Sequence, residues 1–401
     1  MTLARTSLLA LFFPLLLVLP AEGVRQVSGV FFESQAAPER GAQDQRKGLD
    51  PEFLSFFGSS DEDKSALLGK ALEAHDNQLW DEAVSLYRQV IALDSDDAEA
   101  WHGLGIALRH QEIWGEAQDA GKRALALFTA RGDNKGRGAV LYSLGNISED
   151  RGHYDQAERR YRESLGIQRE IGDEAGAAET LNNLGILAGV QDRYVQAETL
   201  FQEKLEIQRK LGDEASVAET LYNLGVVAER EARYEKSEAL YQEALEIERK
   251  LGDEASVATT LNNLGDVAAR QEQYEEANGF FQESLEIQRK LGDEPGLVVT
   301  LFNMGVVSEN REQREEAQEF YQEALEIARR LGSESLVGQT LFSLALLAQT
   351  QGSREQAVEY AREAHEIFVR TQNPIVERTR NFLQILGDPV RDGVGIGGVG
   401  Q

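Results

Sequence analysis

The octapeptide Leu-Gly-Asp-Glu-Ala-Ser-Val-Ala occupies residues 211–218 and returns unchanged at 251–258. Aligning 211–250 with 251–290 leaves 25 of 40 positions identical. The unit extends both ways, over 131–170, 171–210, 291–330 and 331–370. One glycine keeps the beat, at Gly105, Gly145, Gly185, Gly225, Gly265 and Gly305, and Ala345 continues the series. Before Gly105 the step shortens to 34 residues, back to Ala71. A period in this range marks a repeat array, in which one unit cannot bury its apolar face alone and neighbours must stack.

Each unit reads as two helices. In 211–250, Gly212 stops the preceding helix and Asp213 caps the next through its side-chain oxygen. Leu221, Leu224, Gly225 and Ala228 then fall within an arc of about 100° and form a packing stripe. A polar turn around Arg233 follows. The second helix carries Tyr234, Ser237, Tyr241, Ala244 and Leu245 on one face. Small residues fill the Ser237 place in the other units, at Ala83, Ala117, Ala157, Ala197, Ala277, Ala317 and Ala357, which lets two helices approach closely.

These residues resemble the tetratricopeptide repeat (TPR): a large apolar residue, Leu-Gly, a small residue at the turn into the second helix, then an aromatic and another alanine. The first unit fits through Trp80, Ala83 and Tyr87. The later units are similar to the 40-residue variant of kinesin light chains and spindle-orientation adaptors, with Leu-Gly-Asp-Glu where the short form ends in proline. The resemblance implies an all-α, right-handed superhelical solenoid of about eight TPR helix pairs over 64–370. Its units are 64–97, 98–130, 131–170, 171–210, 211–250, 251–290, 291–330 and 331–370. Departures occur at Lys204, where Ala244 and Ala324 stand elsewhere, and at Gly121 and Ala361, which replace the aromatic. Looser packing is expected there. After Asn373-Pro374, the segment Ile375 to Leu386, with Phe382, Leu383 and Leu386 apolar, reads as a capping helix within 371–387.

The ends read differently. Arg5, an apolar run of about 12 residues from Leu8 to Leu19, and the small Ala21 and Gly23 predict a signal peptide over 1–23. The run is short of the roughly 20 residues that span a bilayer. Export, periplasmic or secreted, is therefore expected, with an uncleaved membrane anchor as the alternative. Residues 24–63 read as a flexible lead-in, with Phe53, Leu54, Phe56 and Phe57 as an apolar cluster that can dock on the first repeat. The glycine-rich 388–401 reads as a disordered tail.

Composition narrows the function. The 401 residues carry a formal net charge of -28, which argues against nucleic acid and anionic membranes. There is no cysteine, so disulfides and thiolate chemistry are excluded. His75, His102, His110, His153 and His365 are scattered, and no metal, catalytic set, cofactor or small-molecule substrate is expected. Gly395-Ile-Gly397-Gly398-Val-Gly400 matches a dinucleotide pattern without the strand and helix it needs. Asn146-Ile-Ser148 fits a glycosylation acceptor inside a helix. Charged sets such as Glu203, Glu206, Arg209 and Lys210 read as a solvated outer face stabilised by pairs within each helix.

A binding surface is legible opposite the packing stripe of each first helix, the face that lines the concave groove in the family. One column is Asn183, Asn223, Asn263 and Asn303, ending at Ser143 and Ser343. The next is Tyr142, Asn182, Tyr222, Asn262, Phe302 and Phe342. A third is Asn146, Ile186, Val226, Asp266, Val306 and Leu346. An amide pairs with both groups of an extended peptide backbone, and the resemblance to kinesin light chains implies such a ladder at the four asparagines of the first column. The other reading is that these amides bond neighbouring helices and set repeat spacing. Glu149, Asp150, Glu179, Glu219, Glu229, Asp266 and Glu309 make the face acidic, so the expected partner is an extended protein or peptide segment, partly apolar and neutral or basic. A non-catalytic scaffold or adaptor follows. A self-assembling structural repeat protein is the alternative.

Overall fold

The computed structural model describes residues 61–388, which fold as an all-α array of helix pairs. The expected signal peptide, most of the lead-in with its phenylalanine cluster, and nearly all of the glycine-rich tail lie outside the described residues. Seventeen helices are present among them. They divide into two units, one ending at Ile167 and one starting at Gln168.

The first unit holds α1 (Asp61–Asp76), α2 (Trp80–Leu93), α3 (Ala98–His110), α4 (Trp114–Arg131), α5 (Asn134–Asp150) and most of α6 (Tyr154–Ile171). α1 begins three residues ahead of the expected start of the array. Each helix from α1 to α5 packs on the next, around a core that includes Ala83, Tyr87, Leu108, Phe128 and Leu144. Trp80 stacks on His110 with ring centroids 4.0 Å apart and planes 3° from parallel.

The second unit continues with α7 (Glu174–Val190), α8 (Tyr194–Leu211), α9 (Glu214–Arg230), α10 (Tyr234–Leu251), α11 (Glu254–Arg270) and α12 (Tyr274–Leu291). It closes with α13 (Glu294–Asn310), α14 (Arg314–Leu331), α15 (Glu334–Thr350), α16 (Arg354–Arg370) and α17 (Val376–Ile385). From α7 onward every helix packs on the next. The last apolar face is covered by α17, whose Phe382 and Leu383 are buried together with Leu386 just past its end, and whose Thr379 hydroxyl bonds His365 at 2.8 Å.

The local chemistry of the repeat sets these boundaries. Asp213, Asp253 and Asp293 each accept a backbone N–H three residues on, at 3.2, 3.2 and 3.0 Å, which satisfies one of the donors that a helix start leaves unpaired. Gly212, Gly252 and Gly292 end the preceding helices with φ of 75°, 76° and 71°, a conformation that costs glycine least. The turn between paired helices needs the same left-handed backbone. Gly152 and Gly352 supply it without strain, whereas Ala232 adopts φ 54° and Glu272 φ 60°. Ala232→Gly should therefore stabilise the chain by about 1 kcal/mol, relieving a Cβ clash of roughly 1–2 kcal/mol against a smaller entropic loss. Chemical denaturation of the two proteins checks this.

The beat-keeping glycine has a second task. A Cβ on Gly225 would sit 2.6 Å from the Tyr241 ring, and one on Gly265 2.5 Å from the Phe281 ring. The second helix lays its aromatic directly on the first helix's backbone. The positions expected to be looser are instead filled. A Cβ on Gly121 would meet Leu144 at 2.6 Å, Ala361 and Ala345 are fully buried together, and Lys204 is 3% exposed.

The outer charges also pair differently from the expectation. Arg209 binds Glu243 and Arg249 binds Glu283, both at 2.6 Å and 34 residues apart. Lys210 binds Glu174, and Lys250 binds Glu214 at 2.6 Å, at 36-residue spacing. The 34-residue pairs link the second helices of neighbouring repeats and the 36-residue pairs join the two helices of one repeat, so none of them bridges turns of one helix. All are largely exposed, so each contributes about 0–1 kcal/mol.

Candidate functional site

Helix geometry carries the three predicted columns onto one side of α7, α9, α11 and α13 in the second unit, and of α5 in the first. The packing stripe Leu221, Leu224, Gly225 and Ala228 is buried, while Tyr222, Asn223 and Val226 are half-buried on the other side. Phe302 and Asn303 stand likewise on α13, and Asn262 and Asn263 on α11. Tyr142 stands on α5 in the first unit.

The aromatic column is partly packed. Tyr222 tilts against Tyr241 at 5.6 Å between centroids, and Phe302 against Tyr321 at 5.5 Å. In the first unit Tyr142 meets Tyr161 at 5.8 Å.

The amides divide into two groups. Asn263 Nδ2 donates to Tyr222 Oη at 2.8 Å, and Asn303 Nδ2 reaches Asn262 Oδ1 at 3.4 Å. Asn262 Oδ1 also accepts from Thr300 Oγ1 at 3.2 Å. These bonds step between the first helices of adjacent repeats, so Asn262, Asn263 and Asn303 serve the reading in which amides set repeat spacing. Asn182 is buried and accepts from Lys204 Nζ at 2.8 Å. Asn183 also has an interaction within the chain. Asn223 is half-buried, and no hydrogen bond ties its side chain to the described residues. The uninterrupted ladder of four amides is thus reduced, and Asn223 keeps its donors and acceptor available.

Lys204 is a feature that spacing alone did not place. It rises from α8, where Ala244 and Ala324 stand in later repeats. It binds Asn182 Oδ1 and, at 3.2 Å, Glu219 Oε1 on α9. Burial lowers the affinity of its amine for a proton, and Glu219 opposes that.

The acidic residues are held individually. Tyr241 Oη donates to Glu229 Oε2 at 3.1 Å, and Tyr321 Oη to Glu309 Oε2 at 2.6 Å. Arg270 binds Asp266 at 2.8 Å and lies 3.6 Å from Glu229. Burial, followed by the neighbouring Asp266, raises the pKa of Glu229 well above the carboxylate range. Burial also raises those of Glu309 and Glu179. In the first unit Asp150 is paired with Arg109 at 2.5 Å, and Tyr161 Oη lies 2.6 Å from both Glu149 and Asn146.

Among the described residues no group of three or more His, Asp and Glu is placed to hold a metal ion. His102 bonds Ser143 at 2.9 Å, and burial lowers its pKa to about 4. No helix among the described residues is long and apolar enough to cross a membrane.

Paired helices, a glycine under an aromatic in the five repeats from Gly145 to Gly305, and a polar-apolar face on their first helices define a helical-repeat interaction module. Tetratricopeptide repeat models match residues 66–99, 96–170, 176–250, 216–290, 256–330 and 297–368. The chain belongs to the tetratricopeptide repeat family, whose repeats generally act as non-catalytic modules that bind proteins or peptides. The matches carry that assignment and none narrower.

No curated protein sequence matches the chain. Among solved structures, it is similar to a Signal Transduction ATPase with Numerous Domains protein with a tetratricopeptide repeat sensor from Pyrococcus horikoshii. That likeness has TM-score 0.62 and 17% identity, and covers 82% of this chain and 50% of that one. It is also similar to aspartyl phosphate phosphatase F from Bacillus subtilis, with TM-score 0.53, 12% identity, and coverage of 86% and 99%. The apo form of the quorum sensor NprR from B. thuringiensis gives TM-score 0.50, 14% identity, and coverage of 82% and 99%. At such identities these likenesses show the fold alone. The chain spans about half the length of the Pyrococcus protein.

Proposed function

We propose that the first-helix face of the second unit holds an extended segment of another protein, and that the chain works as a scaffold or adaptor. The observation that carries this is the side-by-side placement of Asn223, whose amide no hydrogen bond engages among the described residues, with the half-buried apolar Tyr222 and Val226. An amide can bond a passing backbone whatever its sequence, and partly exposed apolar side chains beside it select what the backbone carries. The acidic neighbours favour a segment that is partly apolar and neutral or basic. Asn263 and Asn303 support the face indirectly, by fixing the spacing of the helices that form it.

Substituting Asn223→Ala and Val226→Ala together should reduce partner capture at least tenfold, on the order of the 1–3 kcal/mol that a bond and a small apolar contact contribute. Helicity should be kept, and stability should fall by no more than about 1 kcal/mol, the cost of trimming a half-buried valine that packs on the edge of the core, too little to unfold the face. Unaltered capture would remove this face from consideration. We further propose export of the chain, on the strength of Arg5, the apolar Leu8–Leu19 run and the small Ala21 and Gly23. N-terminal sequencing of the mature protein tests it: a start close to Val24 supports cleavage, and a start at Met1 in a membrane fraction supports an anchor.

A further inference from the structure

The first-helix face has a two-repeat period laid over the 40-residue one. Glu149, Glu229 and Glu309 are 80 residues apart, and each meets a tyrosine hydroxyl of its own repeat, on Tyr161, Tyr241 and Tyr321. In the repeats between, Gly189 and Ala269 replace the acid, and Phe201 and Phe281 replace the tyrosine. The acid and the hydroxyl come and go together, as a hydrogen-bonded pair would require.

Within the second unit the two such pairs differ in one respect. Glu229 is completed from the next repeat: Arg270, 41 residues on, lies 3.6 Å away and is steadied by Asp266 at 2.8 Å on its own helix. The Arg270 side chain is only 8% exposed. At the corresponding places beyond Glu309 stand Leu346 and Thr350, and the Thr350 hydroxyl is turned back onto the Leu347 carbonyl at 2.7 Å. No ion pair reaches Glu309 among the described residues, and Arg314 acts on it only from beyond ion-pair distance. A buried carboxylate is costly unless a cation and hydrogen bonds meet it. Tyr321 supplies one bond, and the cation is missing. Phe302 lies two turns before Glu309 on the same stripe and Val306 one turn before, a lining that suits the aliphatic stem of a long basic side chain.

We infer that Glu309, with the Tyr321 hydroxyl, receives a Lys or Arg side chain of the bound segment, in the place that Arg270 fills at Glu229. This rests on the scaffold reading above, and it assigns the basic character of the partner to one position. Burial raises the pKa of the Glu309 carboxyl in the free chain, and a captured cation should lower it again.

The test uses a library of random dodecapeptides selected on the full chain. Recovered peptides should be enriched in Arg and Lys. Replacing the basic residue of a recovered peptide by neutral citrulline or glutamine should weaken binding at least about tenfold, as expected for a charge-assisted bond. Glu309→Gln should weaken it equally, with no further loss when both changes are combined. The double variant L346D/T350R transplants the Asp266–Arg270 arrangement onto Glu309 and should block the basic peptides while leaving helicity intact. That arm also covers the case in which Glu309→Gln fails to fold. Peptides that bind without basic enrichment, or that bind Glu309→Gln and L346D/T350R as they bind the unaltered chain, would overturn the inference and leave the scaffold reading standing. Recovery of no peptide, or of peptides insensitive to every change on the first-helix face, would overturn both.

Discussion

Phe281→Ala should lower the stability of the chain by about 3–5 kcal/mol, the range for truncating a fully buried aromatic. Phe281 is 0% exposed. Its ring occupies the ground left by Gly265, at a distance a Cβ could not tolerate, so truncation opens a cavity between α11 and α12 that rigid helix backbones cannot close. Repeats in such arrays couple mainly to their neighbours. The loss should therefore split unfolding, with the repeat at 251–290 melting ahead of those on either side. Gly265→Ala alone should cost about 1–3 kcal/mol through overpacking. Combined with Phe281→Ala it should cost less than on its own, because the new methyl enters vacated space. The repeat at 331–370 already shows the combined solution, with Ala345 and Ala361 both fully buried. Urea titrations of the single and double variants, read as a double-mutant cycle, measure this. Strict additivity would refute the contact as described.

Glu248→Gln should raise stability by about 3 kcal/mol at pH 8 and change it little at pH 4. Glu248 is 4% exposed. One carboxylate oxygen accepts from Thr260 Oγ1 at 3.0 Å, and the other is buried without a partner. Burial first, and the nearby Asp253 as well, push its pKa up to about 7, with the Thr260 bond opposing them. The folded value lies above the unfolded one, so the acid is tolerated while protonated. Its unfavourable contribution grows as pH rises from the unfolded pKa of 4.5 through about 7, and is constant above that. A shift of that size corresponds to about 3 kcal/mol at 1.36 kcal/mol per unit. Other repeats show how the site is otherwise filled. Gln168 and Gln208 stand at the same place, and each accepts from its threonine, at 2.8 and 2.7 Å. An amide also has a donor to turn towards the capping aspartate, where a second carboxylate is repelled. Denaturation midpoints at pH 4, 6 and 8 should diverge between the two proteins as pH rises. Parallel curves would contradict the assignment.

The fold was legible because its determinants are local and repeated. Asp213, Gly212 and the Leu221, Leu224, Ala228 stripe act within a few residues of where they stand, and the glycine and the capping aspartate recur in the same roles from Asp133 to Asp293. The ion pairs were misread because their partners lie 34 and 36 residues apart, on different helices, so that inspection of one helix finds only i, i+4 candidates. The proposed binding face was half legible. Spacing placed Tyr222, Asn223, Val226 and Phe302 on one side correctly, but a column of asparagines looks identical whether its amides face a ligand or the next repeat. Asn263 and Asn303 turn inward because Tyr222 and Asn262 offer acceptors one repeat back. Sequence held a further signal that the dominant 40-residue beat obscured: Glu149, Glu229 and Glu309 alternate with Gly189 and Ala269, in step with tyrosine alternating with phenylalanine.

The central claim is that a partner is held by the first-helix face. It is tested most directly by site-specific photo-crosslinking, with benzoylphenylalanine replacing Tyr222 or Phe302 on that face and, as the contrast, the exposed Glu246 on the outer surface of α10. The account predicts covalent capture of the same protein from positions 222 and 302, and none from 246. Capture from 246 with nothing from 222 and 302 would contradict it.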